Sequence, residues 1–137
     1  MKKLLAFLML ASLSVLAIGQ DDADISAAEA STLAWLSLTD SGRYADSWQE
    51  AASFFRAAIT AEDWVNALEG ARASFGTMQS REIASAEYAT SLPGAPDGEY
   101  VVFLFNASFE NKENAVETVT AMKDLDGAWR VGGYFIR

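Results

Sequence analysis

The side chains this sequence offers for chemistry are carboxylates, because its 137 residues include no His and no Cys. Without them there is no Ser-His or Cys-His nucleophile pair and no zinc or copper site of the usual donor set. No Gly-rich phosphate loop of the usual spacing is present either. Glu82, Glu87 and Glu117 remain as candidates for proton transfer, since a carboxyl group in an apolar pocket titrates closer to neutrality. Glu117 stands between Val116 and Thr118. Alternation sets it apart from Val116, Thr118 and Met122, on the outer face of a sheet, where it would pair with Arg81 or Arg130. No catalytic residue is therefore assigned. Asp124-Leu125-Asp126-Gly127 is like a fragment of a calcium loop but lacks the remaining ligands and the closing Glu. Its Asp-Gly pair reads as a hairpin turn, and no metal or cofactor is expected.

The second available chemistry is anion binding. Tyr44, Trp48, Arg56 and Arg81 are the candidate lining of a pocket between helices and sheet, in which an arginine would suit a carboxylate or a similar anion. Aromatic side chains of this kind also fill cores, and that reading stands beside the first.

The elements that would position these residues emerge from a change of period. Ser26-Ala27-Ala28-Glu29 fits a capping box, and Ala28, Thr32, Trp35, Leu36 and Thr39 recur at helical spacing until Asp40-Ser41-Gly42. Tyr44, Trp48, Ala51, Phe55 and Ile59 mark a second helix. A third starts near Thr60 and carries Trp64, Leu68, Ala71 and Phe75 before Gly76 ends it. Beyond Gly76 the period falls to two. Strands are predicted over 77–89, 99–110 and 115–123, with a last one through Trp129, Val131 and Phe135. The segment 91–98 holds both prolines and reads as a loop. Three helices followed by four strands on short connections predict an α+β domain, with the helices packed on one face of a four-stranded antiparallel sheet.

The covered face would comprise Val101, Phe103, Phe105, Phe109, Val116, Met122, Trp129, Val131 and Phe135. The opposite face then carries Tyr100, Val102, Leu104, Val119, Ala121, Tyr134 and Ile136 among Asn106, Glu117 and Arg130. A wet sheet face should read polar, whereas this one is half apolar. Val102, Leu104, Val119, Tyr134 and Ile136 are accordingly the candidate interface, for a homodimer or for another protein. The alternative is that the Pro-rich loop or the C-terminal end covers them.

The chain begins like an exported precursor. Lys2 and Lys3 precede an uncharged apolar run from Leu4 to Ile18, and Ala17-Ile18-Gly19 supplies small residues for cleavage. The organisation expected is a signal peptide over 1–19, an acidic linker over 20–25 and one domain over 26–137. The run is shorter than the roughly 20 apolar residues a spanning helix needs, so no membrane anchor is expected after cleavage, and the compartment is periplasmic or secreted. The net charge of -9 becomes more negative once both lysines are removed, which argues against nucleic acid and anionic membrane as partners.

Trp35-Leu36, Tyr44-Ala45-Asp46-Ser47-Trp48, the run from Leu92-Pro93-Gly94 to Tyr100-Val101-Val102, Glu117-Thr118-Val119-Thr120 and the closing Asp126-Gly127-Ala128-Trp129-Arg130-Val131-Gly132-Gly133-Tyr134-Phe135-Ile136 together resemble the bacterial domain of unknown function 4019 family. That resemblance implies no activity and no catalytic residue. The closing segment is also similar to the last strand of the nuclear transport factor 2-like and cystatin-like superfolds, which usually interleave helix and strand in another order. The function expected is an exported, non-enzymatic module binding a small ligand or a protein partner. The alternative is a carboxylate acid–base enzyme with a cone-shaped pocket between helices and sheet.

Overall fold

The computed structural model describes residues 19–137; residues 1–18 of the expected signal segment lie outside them. The chain is α+β; its described residues form four helices and a four-stranded antiparallel sheet. Helix α1 spans Gln20–Asp40, α2 Tyr44–Glu50, α3 Ser53–Ala58 and α4 Ala61–Ala73. Strands β1 (Met78–Ala89), β2 (Tyr100–Phe109), β3 (Lys112–Lys123) and β4 (Trp129–Ile136) pair in chain order as a meander.

Two expectations about the helices need correction. Residues 20–25 are not a linker but the first turns of α1, where Asp21 and Asp22 meet the positive end of the helix dipole. Asp24 is buried there, accepting a hydrogen bond from Gln20 Nε2 at 3.2 Å and lying 3.6 Å from Lys123 Nζ. Ser26 is thus already inside the helix, and there is no capping box to form. The expected second helix is two, so the helices among the described residues number four and not three. Ala52 leaves helical geometry (ψ 151), and its N–H donates to the Val131 carbonyl at 2.8 Å. Ala51 and Ala52 are both fully buried; only side chains this small let the break seat against the edge of β4. Asp124 takes over the start of α3, its carboxylate accepting from Ser53 N at 3.0 Å and from Ser53 Oγ at 2.6 Å.

The helices do not form an even layer. α1 crosses the sheet and touches all four strands, α3 touches β4, and α2 and α4 pack on each other. The core joins Trp35, Leu36, Phe55, Trp64 and Leu68 of the helices to Val101, Phe103, Phe105, Val119, Ala121, Trp129 and Val131 of the sheet. A smaller cluster of Ala107, Phe109 and Ala115 lies under Phe75, Met78 and Ile136. Phe75 enters it through a turn at Gly76 (φ 76), where a Cβ would stand 2.9 Å from Asn111 Nδ2.

The sheet's facing differs from the prediction in two strands. β2 is as expected, but Val101, Phe103, Phe105 and Ala107 stand opposite Ala121, Val119, Glu117 and Ala115. Cross-strand partners share a face, so these β3 residues point to the helices, and Val116 and Met122 lie outside. In β4 the register slips where Gly132 is inserted, Val131 opposing Ala121 and Gly133 opposing Thr120. A bulge of this kind reverses the alternation beyond it. Tyr134 and Ile136 consequently turn inward, and Phe135 is 61% exposed. A Cβ on Gly132 would sit 2.7 Å from Met122 Sδ, so this glycine makes room for the Met122 side chain across the strand.

The two phenylalanines expected in one core should therefore part. Phe103→Ala is expected to cost about 3–5 kcal/mol and Phe135→Ala no more than about 0.5 kcal/mol. Denaturant unfolding of the two variants checks this.

Candidate functional site

Between helices and sheet, the described residues hold a buried chain of alternating charge. Arg72 is on α4, four residues beyond Leu68 and eight beyond Trp64, so helical spacing turns it to the core. Asp40 closes α1. Arg81 is the inward residue opposite Ala107, and Glu117 lies across from Phe105. Arg81 Nη1 donates to Asp40 Oδ2 at 2.8 Å and Arg81 Nε to Glu117 Oε1 at 2.6 Å. Its Nη2 reaches both acids, at 3.0 Å and 3.1 Å. Arg72 Nη2 donates to Asp40 Oδ1 at 2.9 Å, and its guanidinium lies 4.8 Å from the Phe109 ring centroid. The Tyr134 hydroxyl donates to Glu117 Oε2, its ring packed against Trp35 and Trp64. Glu117 is 0% exposed, and both oxygens of its carboxylate accept hydrogen bonds, from Arg81 and Tyr134.

Burial pushes the Asp40 carboxyl up, but hydrogen bonds from Arg81 and Arg72 outweigh it and hold Asp40 below the usual carboxylate range. Burial disfavours charge on Arg81, and its bonds to Asp40 and Glu117 overcome that, so its proton is held more tightly than usual. Burial, and then the neighbouring Glu117, keep Tyr134 protonated far beyond an ordinary phenol. A second charged cluster fixes the β3–β4 turn. Its Asp124 is held at about 2, first by the Ser53 hydroxyl, while Arg130 donates to both Asp126 oxygens at 2.7 Å and 2.8 Å. Arg130 is therefore engaged within the hairpin and does not meet Glu117.

The four candidate ligand residues are not brought together. Tyr44 and Trp48 pack against the core, Trp48 Nε1 donating to the Ile59 carbonyl at 2.8 Å. Arg56 is exposed on α3, and Arg81 is committed to its two acids. Of the five candidate interface residues, Val102 and Leu104 lie on the outer face, with Leu104 37% exposed. Val119, Tyr134 and Ile136 belong to the inner layer, because β3 has the opposite facing and the Gly132 bulge reverses β4. The Pro-rich loop covers one end of the outer face: Tyr100 is 2% exposed, and its hydroxyl donates to the Pro96 carbonyl. The remainder of that face is open, and at its far end lies a groove of about 590 Å³.

The family model for DUF4019, proteins of unknown function, matches residues 31–134. The chain belongs to the DUF4019 family. No curated protein and no solved structure matches it. The part of this DUF4019 chain that the family model spans holds the whole buried network, from Asp40 to Tyr134.

Removing one side of the network strands a charge, so Arg81→Met or Glu117→Leu alone is expected to cost about 3–5 kcal/mol, most of it recovered in the double variant. Equilibrium unfolding measures both. Asp40 is depressed on folding, so its contribution is present above about pH 3.9 and is lost as pH falls toward its folded value. Tyr134 is raised, so its contribution is present below about pH 10 and is lost as pH climbs past that. Asp40→Asn should flatten the acid limb of a stability–pH profile and Tyr134→Phe the alkaline limb.

Proposed function

We propose that this DUF4019 protein is an exported, non-enzymatic module that binds a small ligand or a protein partner on the outer face of its sheet. The observation that carries this reading is the contrast between its two faces. On the inner face the space where a cone-shaped pocket would open is filled by Trp35, Phe55, Trp64 and Tyr134. Glu117, the best-placed carboxylate for acid–base work, is buried beneath them with both oxygens accepting hydrogen bonds, from Arg81 and Tyr134. A general base must come within hydrogen-bond reach of a substrate proton, and this carboxylate is fully buried. The outer face offers an open floor of Val102, Leu104, Thr118 and Thr120 beside a groove. The signal-like start of the chain and its acidity support a periplasmic or secreted place for it.

Native mass spectrometry of the cleaved protein, purified from its own envelope fraction, tests the proposal. A retained companion is expected on the wild type, at least tenfold depleted in Leu104→Lys while circular dichroism stays unchanged. Wild-type protein free of any companion, or a variant that keeps it, overturns the reading.

A further inference from the structure

Two Asp-Gly dipeptides stand in this chain, Asp97-Gly98 in the Pro-rich loop and Asp126-Gly127 at the β3–β4 turn, and Asn-Gly does not occur. Asp-Gly is the aspartyl pair most open to rearrangement, because glycine has no Cβ to keep its amide nitrogen away from the preceding side chain. That nitrogen attacks Cγ of the protonated acid. An N–Cγ bond forms, the Cγ–OH bond breaks, and one water leaves with the hydroxyl oxygen and the amide proton. Water then adds to the main-chain carbonyl of the cyclic imide and breaks its bond to nitrogen, so the chain now runs through Cγ. The product is isoaspartate, unchanged in mass and oxidation state but one methylene longer along the main chain.

The fold treats the two sites differently. Both aspartates and both glycines are exposed, so access to water does not separate them. Both glycine amides donate within their own turns, Gly98 to the Thr90 carbonyl at 3.1 Å and Gly127 to the Asp124 carbonyl at 2.9 Å. The carboxylates are what differ. Arg130 donates to both oxygens of Asp126, at 2.7 Å and 2.8 Å, and the Ala128 N–H donates to Oδ1 at 3.1 Å. A two-pronged guanidinium fixes the plane of a carboxylate as well as its charge. The Arg130 bonds also hold Asp126 far below the usual carboxylate range, and the ionised form resists attack by nitrogen. Asp97 has no such guard. Among the described residues no Lys or Arg nitrogen lies within 4.0 Å of its carboxylate, and no hydrogen-bond donor lies within 3.5 Å.

The glycines differ in the same sense. Gly127 has φ 83, a left-handed conformation that the turn requires. A bulkier residue cannot replace it, so the neighbouring acid is what must be restrained. Gly98 has no positive φ, and a Cβ there would meet only Tyr100, at 3.7 Å, an ordinary contact. We infer that Asp97-Gly98 is a site of spontaneous isoaspartate formation in this protein, and that Arg130 protects Asp126-Gly127 from the same reaction. The converted bond lies just beyond the Pro96 carbonyl that receives the Tyr100 hydroxyl, in the loop that covers one end of the outer face. The inference is independent of what that face binds.

Prolonged incubation of the purified protein at neutral pH, then proteolysis and peptide mass spectrometry with electron-transfer fragmentation, measures isoaspartate at each position. In folded wild type, conversion at position 97 is expected to exceed that at 126 at least tenfold, and in urea the two should agree within threefold. Arg130→Met is expected to raise conversion at 126 at least tenfold and to leave 97 within twofold, with circular dichroism unchanged. Arg130→Lys keeps the charge without the fork and serves if that variant does not fold; it should raise position 126 at least threefold. Gly98→Ala should slow conversion at 97 at least fivefold. Equal conversion at the two positions in the folded protein overturns the inference, as does a folded chain that gains none at 97 while the denatured chain does. A tenfold difference that survives in urea belongs to the sequence and overturns the role of the fold. A folded Arg130 variant that still protects position 126 overturns the role of Arg130.

Discussion

Arg81 carries a charge that no protein environment removes, on a strand whose inner face must be covered by helices, so whatever packs there has to bring it acids. Asp40 arrives from the end of α1 and Glu117 from two strands away, and each accepts two of its N–H groups. The arginine thus ties the end of the longest helix to β1 and β3, and Arg72 extends the tie to α4. The arrangement is costly to desolvate and permits little substitution of one partner at a time. What it contributes is geometry: a guanidinium fork engaged on both sides admits few relative placements of helix and sheet.

That same pairing gives the buried charges a structural place in this domain. A carboxylate deep between layers is ordinarily the first candidate for proton chemistry, yet here each oxygen of Glu117 already has a donor and the side chain is fully buried. The free hydrogen-bonding capacity lies on the opposite side of the sheet, around Ser108. The buried charges of the inner layer are matched among themselves.

Much of this was legible in the residues. The change of period near Gly76, the single loop holding both prolines and the Asp126-Gly127 turn locate the helical half and the four strands along the chain, while the order in which the strands neighbour one another comes from the structure. The facing of β3 was not, for a physical reason. Val116, Thr118, Thr120 and Met122 look more apolar than Ala115, Glu117, Val119 and Ala121, but large side chains on β2 need small ones opposite: Val101 meets Ala121, and Phe103 meets Val119. Where Phe105 meets Glu117, the interior gives its volume to an ion pair, which no rule that sends apolar residues inward can foresee. The reversal in β4 did leave a trace, since Gly132-Gly133 within a strand marks a bulge. Arg72 left another, standing on the stripe of Trp64 and Leu68. Ala51-Ala52 gave no warning of a helix break, alanine being the best helix former; the bond to Val131 decides it.

For a chain living among other chains, that break and that bulge matter most at the margins of the sheet. β4 would otherwise offer a straight row of unpaired amides and carbonyls to any passing strand. Ser31 takes the Trp129 carbonyl, Ala52 takes that of Val131, and the slip at Gly132 twists what remains out of line. β1, at the other margin, carries Glu82 and Glu87 and its own irregularity before Ser85. Neither margin is a flat template, so the open ends of the meander present less of the straight, unpaired edge on which another strand could pair.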